Sequence, residues 1–419
     1  MQRLFTVEAD EIAKESGFIQ RKRKLSGSSY AQSLVLGWLA NPDERLGGLA
    51  QHAARAGTPV SPQNLDQRFG KSSVAFMQKL LERAMQWVIG GQRMEVDLFK
   101  HFKAVRLADS SIVPVPEEFA QVYPGCGNQH GQSASLKLQV NLDLLKGDIH
   151  LAIQNGQASD HTSPVAFISA AGELSLRDLG FFSLKGLEGI SAAGGYFLSR
   201  APSDQIYYDA KGKAIPIHTL LVDGLDTKVW LGKRLAVRMV VLKVPKAVKQ
   251  SRVGRIKAEA KRKGKAVSQQ ALLLAGWDIR LTNADAKILS LKAIFVISRL
   301  RWQIELWFKV CKSVNRIDES RSRNPFRILT EILAKILGCL IQQWCIAASA
   351  WQMLDKSLFR LAKTIQREAL GLFDAIPSLK AIRNWLDKLR RITSVACTVE
   401  RRQHKPSAFQ LVEELCSLN

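Results

Sequence analysis

Three carboxylates in this sequence stand where a metal-dependent reaction could use them. Asp109 follows an alternating apolar stretch and Asp178 follows a shorter one, so both are predicted to lie at the ends of strands. Glu305 lies on a predicted helix that can pack across such a sheet and supply the third acid. Two acids that bridge a pair of Mg²⁺ ions, with a third binding one ion, activate a water molecule and stabilise the leaving oxygen of a phosphodiester. These residue types therefore predict phosphodiester displacement.

The predicted helix around Glu305 carries cations on the same face as the carboxylate. Arg301, Glu305 and Lys312 are spaced by four and seven residues, which places them within about 40° of one another on a helix. Ser298 joins this face one turn earlier. Cations beside a metal-binding carboxylate suit a phosphate substrate. Taken alone, however, the stripe is better explained as an exposed surface with an Arg–Glu pair, which contributes roughly a few tenths of a kcal/mol.

Apolar alternation predicts the strands that position the first two acids. Residues 135–145 and 147–154 alternate with a period of two, and Lys146-Gly147-Asp148 between them predicts a tight turn. The elements expected next are helices at about 162–173 and 184–193 and strands at about 174–179 and 196–199. Strands in a meander, followed by strands that alternate with helices, predict a mixed α/β sheet covered by helices.

The first 98 residues are predicted to be helical, because their apolar residues lie three and four apart. Ser61 is expected to cap a helix that begins at Pro62. That region carries the polar residues Gln63, Asn64, Gln67 and Arg68. A DNA-binding helix pair and an ordinary helical hairpin explain this pattern equally well.

A basic segment follows a group of predicted short strands. The strands are expected within 205–245, as IYYD, IPIHTLLVD and LAVRMVVLKV. Residues 246–265 form the densest basic run of the chain and include Lys261, Arg262 and Lys263, with Glu259 as the one acid. A charge run is usually a solvated face. Because this run lies between two structured parts, a helix that tracks DNA is favoured over a bare linker.

The last third of the chain is predicted to be largely helical. A short strand from Trp277 to Leu281 leads to a long helix that starts near Asp285. Breaks are expected near Asn324-Pro325 and Ile376-Pro377, where proline disfavours helix.

Composition identifies nucleic acid as the leading partner. The chain has 419 residues with 61 Lys and Arg against 37 Asp and Glu, a net charge of +24. Such an excess destabilises a compact fold by self-repulsion unless a polyanion is bound, and phosphate neutralisation supplies most of the affinity for DNA. A membrane surface is the weaker alternative.

Membrane insertion and secretion are not expected. The longest apolar run, residues 328–345, is broken by Glu331, Lys335 and Gln342 and is predicted to be a core helix. The N-terminal stretch carries three acids where a signal peptide would be apolar, so the protein is expected to stay in the cytoplasm.

Two other site classes have no support in the sequence. The six cysteines, at 126, 311, 339, 345, 397 and 416, form no CxxC pair, so a zinc site is not expected. A phosphate-cradling GxxxxGK[ST] loop is absent, which argues against an ATP-driven motor.

Five motifs in order resemble those of bacterial insertion-sequence transposases. They are DSS at 109–111, RDLGFFS at 177–183, YFLSR at 196–200, LTN at 281–283 and RLRWQIELWFKVCK at 299–312. The closest resemblance is to the insertion-sequence-four family, over about residues 100–340. It implies a ribonuclease-H-like core in which Asp109, Asp178 and Glu305 form an Asp–Asp–Glu triad. It also implies Mg²⁺ as cofactor, with Mn²⁺ as a substitute, and the double-stranded DNA of transposon ends and target as partner.

The family's signature is Tyr, two residues, Arg, three residues, Glu, six residues, Lys. This sequence matches it at Arg301, Glu305 and Lys312 but has Ser298 where the family has tyrosine. The resemblance therefore implies a weakened phosphate contact at that position. In relatives a tryptophan late in an inserted domain stacks on a flipped base. Trp277 is the positional candidate and Trp230 the alternative, and a core position is at least as good an explanation for either.

The resemblance also implies a mostly β insertion between Asp178 and Glu305, an interval too long for one strand–helix connection. The expected organisation is a helical DNA-binding domain (1–98), the first part of the catalytic core (99–200), a β-rich and basic insertion (201–275), the rest of the core (276–340) and a helical dimerisation or DNA-contact region (341–419).

A homodimer is expected in the DNA complex, because two similar ends are most simply paired by two-fold symmetry. The helically spaced Leu354, Leu358, Leu361 and Ile365 are candidates for the dimer contact or for packing within the chain. A metal-dependent nuclease without strand transfer and a catalytically dead DNA-binding relative remain alternatives.

Overall fold

A computed structural model describes residues 1–21, 24–127, 133–403 and 406–417. The helices in chain order are α1 (Ala9–Glu15), α2 (Gly27–Ala40), α3 (Leu46–Arg55), α4 (Pro62–Asp66), α5 (Lys71–Met85), α6 (Leu184–Ala192), α7 (Lys246–Arg262), α8 (Gln269–Leu274), α9 (Leu291–Leu300), α10 (Trp302–Ser313), α11 (Pro325–Ser349), α12 (Leu358–Ala375), α13 (Leu379–Val395) and α14 (Ala408–Ser417). The strands are β1 (Val105–Val115), β2 (Ala134–Asp143), β3 (Ile149–Asn155), β4 (Leu174–Arg177), β5 (Tyr196–Arg200), β6 (Tyr207–Tyr208), β7 (Ala214–Ile215), β8 (Leu225–Leu231), β9 (Leu235–Lys243) and β10 (Trp277–Thr282).

The chain divides into two compact units. The first unit consists of Met1–Glu95, Asp109–Val165 and Trp302–His404. The second unit consists of Val96–Ala108, Ala166–Arg301 and Lys405–Asn419. Strand β1 contributes its first residues to the second unit and its later residues to the first.

Helix α11 forms the core of the first unit, where it packs against α2, α5, α12 and α13. It begins at Pro325 because the Asn324 side chain accepts hydrogen bonds from the N–H groups of Phe326 and Arg327, which would otherwise lack partners. Within the described residues, α11 is the helix long and apolar enough to cross a membrane, and 94% of that apolar window is buried inside the protein. The prediction of a core helix at this position is confirmed.

The two buried charges of α11 are paired with each other. Lys335 Nζ lies 2.7 Å from Glu331 Oε1 and also donates to the backbone oxygens of Arg316 and Glu319. Ser320 Oγ donates to Glu331 Oε2 at 2.7 Å. Buried charges are tolerated when they are paired and hydrogen-bonded, so this cluster ties the loop after α10 to the core helix.

Strands β2 and β3 form the antiparallel hairpin predicted for the first unit, with Leu136 opposite Asn155 and Leu142 opposite Ile149. Every residue of β2 is buried. Its alternation therefore separates two buried faces and not a core face from a solvent face. One face is apolar, and the other carries Lys137, Gln139, Asn141 and Asp143.

The second unit is built on a mixed sheet. The start of β1 pairs in parallel with β4, and β4 pairs in parallel with β5. Strand β10 lies antiparallel between β5 and β9, and β8, β6 and β7 continue the sheet in that order. Phe197, Val229, Met239 and Leu281 lie in its core, which is covered by residues of α6. The predicted mixed α/β sheet flanked by helices is confirmed.

Residues 162–173 do not form the predicted helix. The segment contains a single 3₁₀ turn, Asp160–Thr162, followed by turns up to β4. Pro164 disfavours the helical conformation of Ser163. The backbone oxygen of Val165 accepts a hydrogen bond from Asn141 Nδ2 at 2.9 Å, so a neighbouring strand takes up a bond that a helix would have made internally.

Two further predictions about elements are wrong in part. The helix expected from Asp285 begins at Leu291, where Ser290 caps it, and it ends at Leu300 before α10 begins. The predicted strand IPIHTLLVD contains a 3₁₀ helix at Ile217–Leu220, while the unpredicted strand β8 follows it. By contrast, Ser61 caps α4 by accepting from Asn64 N–H, as predicted.

Candidate active site

Asp109 lies in the middle of β1 and not at its end, because the strand continues to Val115. The residues before Asp109 are mostly buried, whereas 109–112 are partly or fully exposed. Asp109 Oδ1 accepts a hydrogen bond from Ser110 N–H at 2.8 Å. The carboxylate therefore sits where the strand passes from core to solvent.

Glu305 lies in the first turn of α10, also in the first unit. The opposite face of this helix is anchored in the core by Ile304, Trp307 and Cys311. Lys312 Nζ donates to the backbone oxygen of Ile112 at 3.0 Å. This bond brings the last turn of the Glu305 helix to the segment of β1 that follows Asp109.

Asp178 lies in the second unit, directly after β4, at the position before a short 3₁₀ turn. Arg301 Nη2 lies 3.8 Å from Asp178 Oδ2, and both side chains are partly exposed. Opposite charges at this distance attract each other, more weakly in solvent than in a buried site. Arg301 is thus placed beside the second predicted acid.

The neighbouring Arg177 is buried and its guanidinium lies 4.5 Å from the centre of the Phe167 ring. Burial lowers the pKa of Arg177 to about 10, because the charged form loses hydration. Two of its nitrogens, Nε and Nη1, have no hydrogen-bond partner among the described residues. Arg177 therefore holds the end of β4 against Phe167 by packing.

The predicted stripe of cations is not carried by one continuous helix. Ser298 belongs to α9 and Arg301 caps its end, whereas Glu305 and Lys312 belong to α10. Ser298 Oγ donates to the Ile294 backbone oxygen at 2.7 Å within α9. Its short side chain is thus engaged by its own helix, as serine in a helix often is.

The two tryptophans considered for base stacking are both half-buried. Trp277 packs against the core of the second unit, and its backbone oxygen accepts from Arg252. Trp230 has the Lys228 ammonium 5.4 Å from its ring centre. The core explanation is therefore the stronger one for Trp277. Trp302, which the sequence patterns did not single out, is 55% exposed, three residues before Glu305.

The basic run 246–265 forms helix α7 over most of its length, as predicted, and buries none of its residues. Lys261, Arg262 and Lys263 lie at its exposed end. Lys263 Nζ donates to Glu259 Oε1 at 2.6 Å, and this bond lowers the pKa of the Glu259 carboxyl. Lys263 is therefore already paired within the helix.

Sequence patterns also missed a polar chain next to Asp109. Ser110 Oγ donates to Asp160 Oδ1 at 2.8 Å, and the same oxygen lies 2.8 Å from Lys137 Nζ. The sequence pattern identifies Lys137 only as part of an alternating strand. The signal that could have identified it is a lysine within a strand whose neighbours are almost all apolar or uncharged.

No group of three or more His, Cys, Asp and Glu side chains gathered as a metal site is present among the described residues. Asp109 and Glu305 lie in the first unit and Asp178 in the second. The joint metal site of these three acids therefore stays a prediction.

Comparison with known proteins assigns the family. Residues 100–341 match the family model described as a transposase DDE domain. The chain is 27% identical over 451 aligned positions to the transposase for insertion sequence element IS231F of Bacillus thuringiensis subsp. israelensis, covering 98% of this chain and 94% of the relative. It is 25% identical to the transposase for IS1151 of Clostridium perfringens, covering 83% and 80%.

A cryo-EM structure of a piggyBac transposase synaptic complex with hairpin DNA matches with a TM-score of 0.44 and 10% identity, over 93% of this chain and 84% of the other. The family assignment rests on the sequence matches. This chain belongs to the family of transposases with a DDE domain and is a bacterial insertion-sequence DNA transposase.

Proposed function

We propose that this transposase binds the ends of an insertion sequence, cleaves them with two metal ions and joins them to target DNA. Asp109, Asp178 and Glu305 are the proposed metal ligands and catalytic residues. The observation that carries the proposal is the family match over residues 100–341, which spans all three carboxylates in the order of the resemblance. The core is proposed to be ribonuclease-H-like, supported by the parallel pairing of β1, β4 and β5 in the second unit and by the antiparallel β2–β3 hairpin in the first.

Mg²⁺ is the proposed cofactor, with Mn²⁺ as a substitute. The donor set fits a hard cation, because all three proposed ligands are carboxylates and hard cations prefer oxygen. Asp109 and Glu305 are only partly buried, so solvent reaches both side chains. When bound, the metals supply an activated water and stabilise the leaving oxygen.

Three residues of α9, α10 and the position between them are proposed to hold the scissile strand. Arg301 lies next to Asp178, and its fork of donors suits a phosphate. Lys312 is anchored on the Ile112 oxygen and keeps its other two ammonium protons for a second acceptor. Ser298 stands in for the signature tyrosine of the insertion-sequence-four family, to which we assign the chain, and makes a weaker contact.

DNA binding is proposed to rest on exposed cations as well. Helix α7 offers Lys261 and Arg262 without burying any residue. Such side chains release counterions when they neutralise phosphates, which gives affinity without sequence preference. Residues 201–275 are the proposed DNA-contacting insertion, residues 1–98 a DNA-binding domain, and 99–200 and 276–340 the two parts of the core.

The active species is proposed to be a homodimer in the bacterial nucleoid, with each subunit holding one DNA end. Leu361 and Ile365 are buried within the first unit, which supports the packing role considered for them. Other parts of 341–419 must then supply the contact between subunits.

The test is to incubate the protein with DNA that carries the ends of its own element, a target plasmid and Mg²⁺. Cleavage at the ends followed by joined product supports the proposal. Cleavage without joining favours a nuclease. Binding without cleavage in either Mg²⁺ or Mn²⁺ favours a catalytically dead relative.

A further inference from the structure

The polar face of β2 holds the loop that follows β3. Lys137 Nζ donates to the backbone oxygen of Ala158 at 2.7 Å, and Asn141 Nδ2 donates to that of Val165 at 2.9 Å. Strands β2 and β3 and the loop after β3 all lie in the first unit. Buried polar side chains are stable only with such partners, so the row of donors on β2 fixes the path of residues 158–165.

This loop presents Asp160 to the strand that carries Asp109. Asp160 Oδ1 accepts from Ser110 Oγ at 2.8 Å and lies 2.8 Å from Lys137 Nζ. Ser110 N–H in turn donates to Asp109 Oδ1 at 2.8 Å. A continuous chain of polar contacts thus runs from Lys137 through Asp160 and Ser110 to Asp109.

We propose that Lys137 and Asp160 are positioning residues, which fix Ser110 and so orient the Asp109 carboxylate for metal binding. The inference rests on the proposed function, because it takes Asp109 as a metal ligand. Carboxylate ligands of metals are generally held by hydrogen-bonded groups behind them, whose loss weakens metal affinity. The backbone N–H of Ser110 supplies that group here, and the bond from the Ser110 hydroxyl to Asp160 holds this residue, and with it the N–H, in place.

Lys137 has a separate part in this arrangement. Its side chain is 11% exposed and that of Asp160 is 28% exposed. A second carboxylate next to a metal ligand repels it and draws metal to itself unless its charge is compensated. Lys137 compensates Asp160, so the ion is drawn to Asp109, while Asp160 serves as an acceptor for Ser110.

The experiment measures metal binding without DNA and without turnover. Tb³⁺ luminescence, with Mg²⁺ as competitor, is titrated on the full-length protein and on K137M, D160N and S110A. We expect each variant to bind metal about tenfold to hundredfold more weakly, as for other groups that support metal ligands. K137R and S110T, which keep the charge and the hydroxyl, should recover most of the affinity.

Matched controls separate this role from general loss of structure. N141A removes a donor from the same strand to the same loop but leaves the contacts of Asp160 intact. K335M breaks another buried Lys–carboxylate pair of the first unit. Both should lower the melting temperature and leave metal affinity unchanged.

The two hypotheses fail in different ways. If the wild-type protein binds no Tb³⁺ and D109N behaves like it, the proposed metal role of Asp109 fails. If the wild-type protein binds metal through Asp109 while K137M, D160N and S110A bind it equally well, the positioning role is overturned. If N141A loses as much metal affinity as these variants, the loss comes from a less stable loop, and the positioning role is overturned in that case too.

Discussion

Helices α7 and α10 both carry cations, but they hold them in opposite ways. Helix α7 has 17 residues, none of them buried. Helix α10 has 12 residues and buries Ile304, Trp307, Phe308, Val310 and Cys311. A helix that is polar all round gets little stability from packing, whereas a helix with an anchored face fixes the direction of its polar side chains.

The difference indicates that α7 contributes to the affinity for DNA and α10 to the cleavage reaction. Lys312 on α10 is tied to the Ile112 oxygen, so it offers its remaining donors from a fixed point. Lys261 and Arg262 lie at the exposed end of α7 and can follow a phosphate backbone, which requires charge but little geometry. Substitutions on α10 should therefore change the rate at which bound DNA is cleaved. Substitutions on α7 should instead change how strongly DNA binding depends on salt concentration.

The largest effect is expected for E305Q, which keeps the size of the side chain and removes its charge. Loss of a metal ligand of this kind costs several kcal/mol of transition-state stabilisation, and about 4 kcal/mol corresponds to roughly a thousandfold in rate. D109N and D178N should behave alike. Single-turnover cleavage in Mg²⁺ is the measurement.

DNA binding by these variants should stay close to that of the wild-type protein in a gel-shift assay. E400Q changes an acid whose side chain is 89% exposed and serves as the control. Near wild-type cleavage by any of the three carboxylate variants would remove that residue from the proposed ligand set.

A smaller effect of opposite sign is expected for S298Y. The Ser298 hydroxyl donates to the Ile294 oxygen, which weakens its contact with a phosphate, whereas a tyrosine would reach beyond the helix. A hydrogen bond to a charged group is worth about 1.5–3 kcal/mol, which predicts roughly a tenfold to hundredfold faster cleavage.

S298F is the matched control for S298Y, because it adds the ring without the hydroxyl. A gain in both variants would mean that packing, and not the phosphate contact, limits the rate. A flat or lower rate in a folded, DNA-binding S298Y protein would contradict the idea that the missing tyrosine limits this enzyme.

Trp302 tests whether α10 also guides a base. Its ring is 55% exposed, one turn before Glu305, and stacking of a base on an aromatic ring is worth about 1–3 kcal/mol. W302A should therefore weaken the productive complex by roughly fivefold to hundredfold, and W302F should restore part of it. W277F, which changes a half-buried ring packed on the second unit's core, should have no such effect.

The readout for Trp302 is the fluorescence of 2-aminopurine placed at each base next to the cleavage site. Quenching that is lost in W302A and kept in W277F supports the stacking role. If quenching is lost only in W277F, the base stacks on Trp277 and not on Trp302.

The hairpin β2–β3 was predictable because alternation is a local property that both of its strands display. The polar residues Lys137 and Asn141 kept the period of two even though both faces are buried. The three proposed carboxylate ligands could likewise be identified from the sequence, because residue type and order require no knowledge of tertiary contacts.

The path of residues 158–165 was not predictable, because it depends on donors from another strand. Asn141 and Lys137 take up the backbone oxygens of Val165 and Ala158, and no local pattern reports such contacts. The division of the Glu305 helix at Arg301 was missed for a related reason. The apolar spacing continues through Leu300, Ile304 and Trp307, so periodicity alone describes a single helix.

The smallest effect on the cleavage rate is expected on α7. The triple variant K261A/R262A/K263A should cleave saturated DNA at the wild-type rate, because these side chains provide charge and not geometry. Its logarithmic plot of binding constant against salt should be shallower by up to about 3 units, roughly one per lost phosphate contact. Lys263 should account for the smallest share, since Glu259 already binds its ammonium. E259Q should consequently strengthen DNA binding at low salt and leave the cleavage rate unchanged.

The matched control is K380A/R383A/R391A, which removes three exposed cations from α13. An equal change of slope in both triple variants would show that net charge alone sets the affinity. Slower cleavage of saturated DNA by the α7 variant would contradict the proposal that α7 contributes to binding and α10 to the reaction.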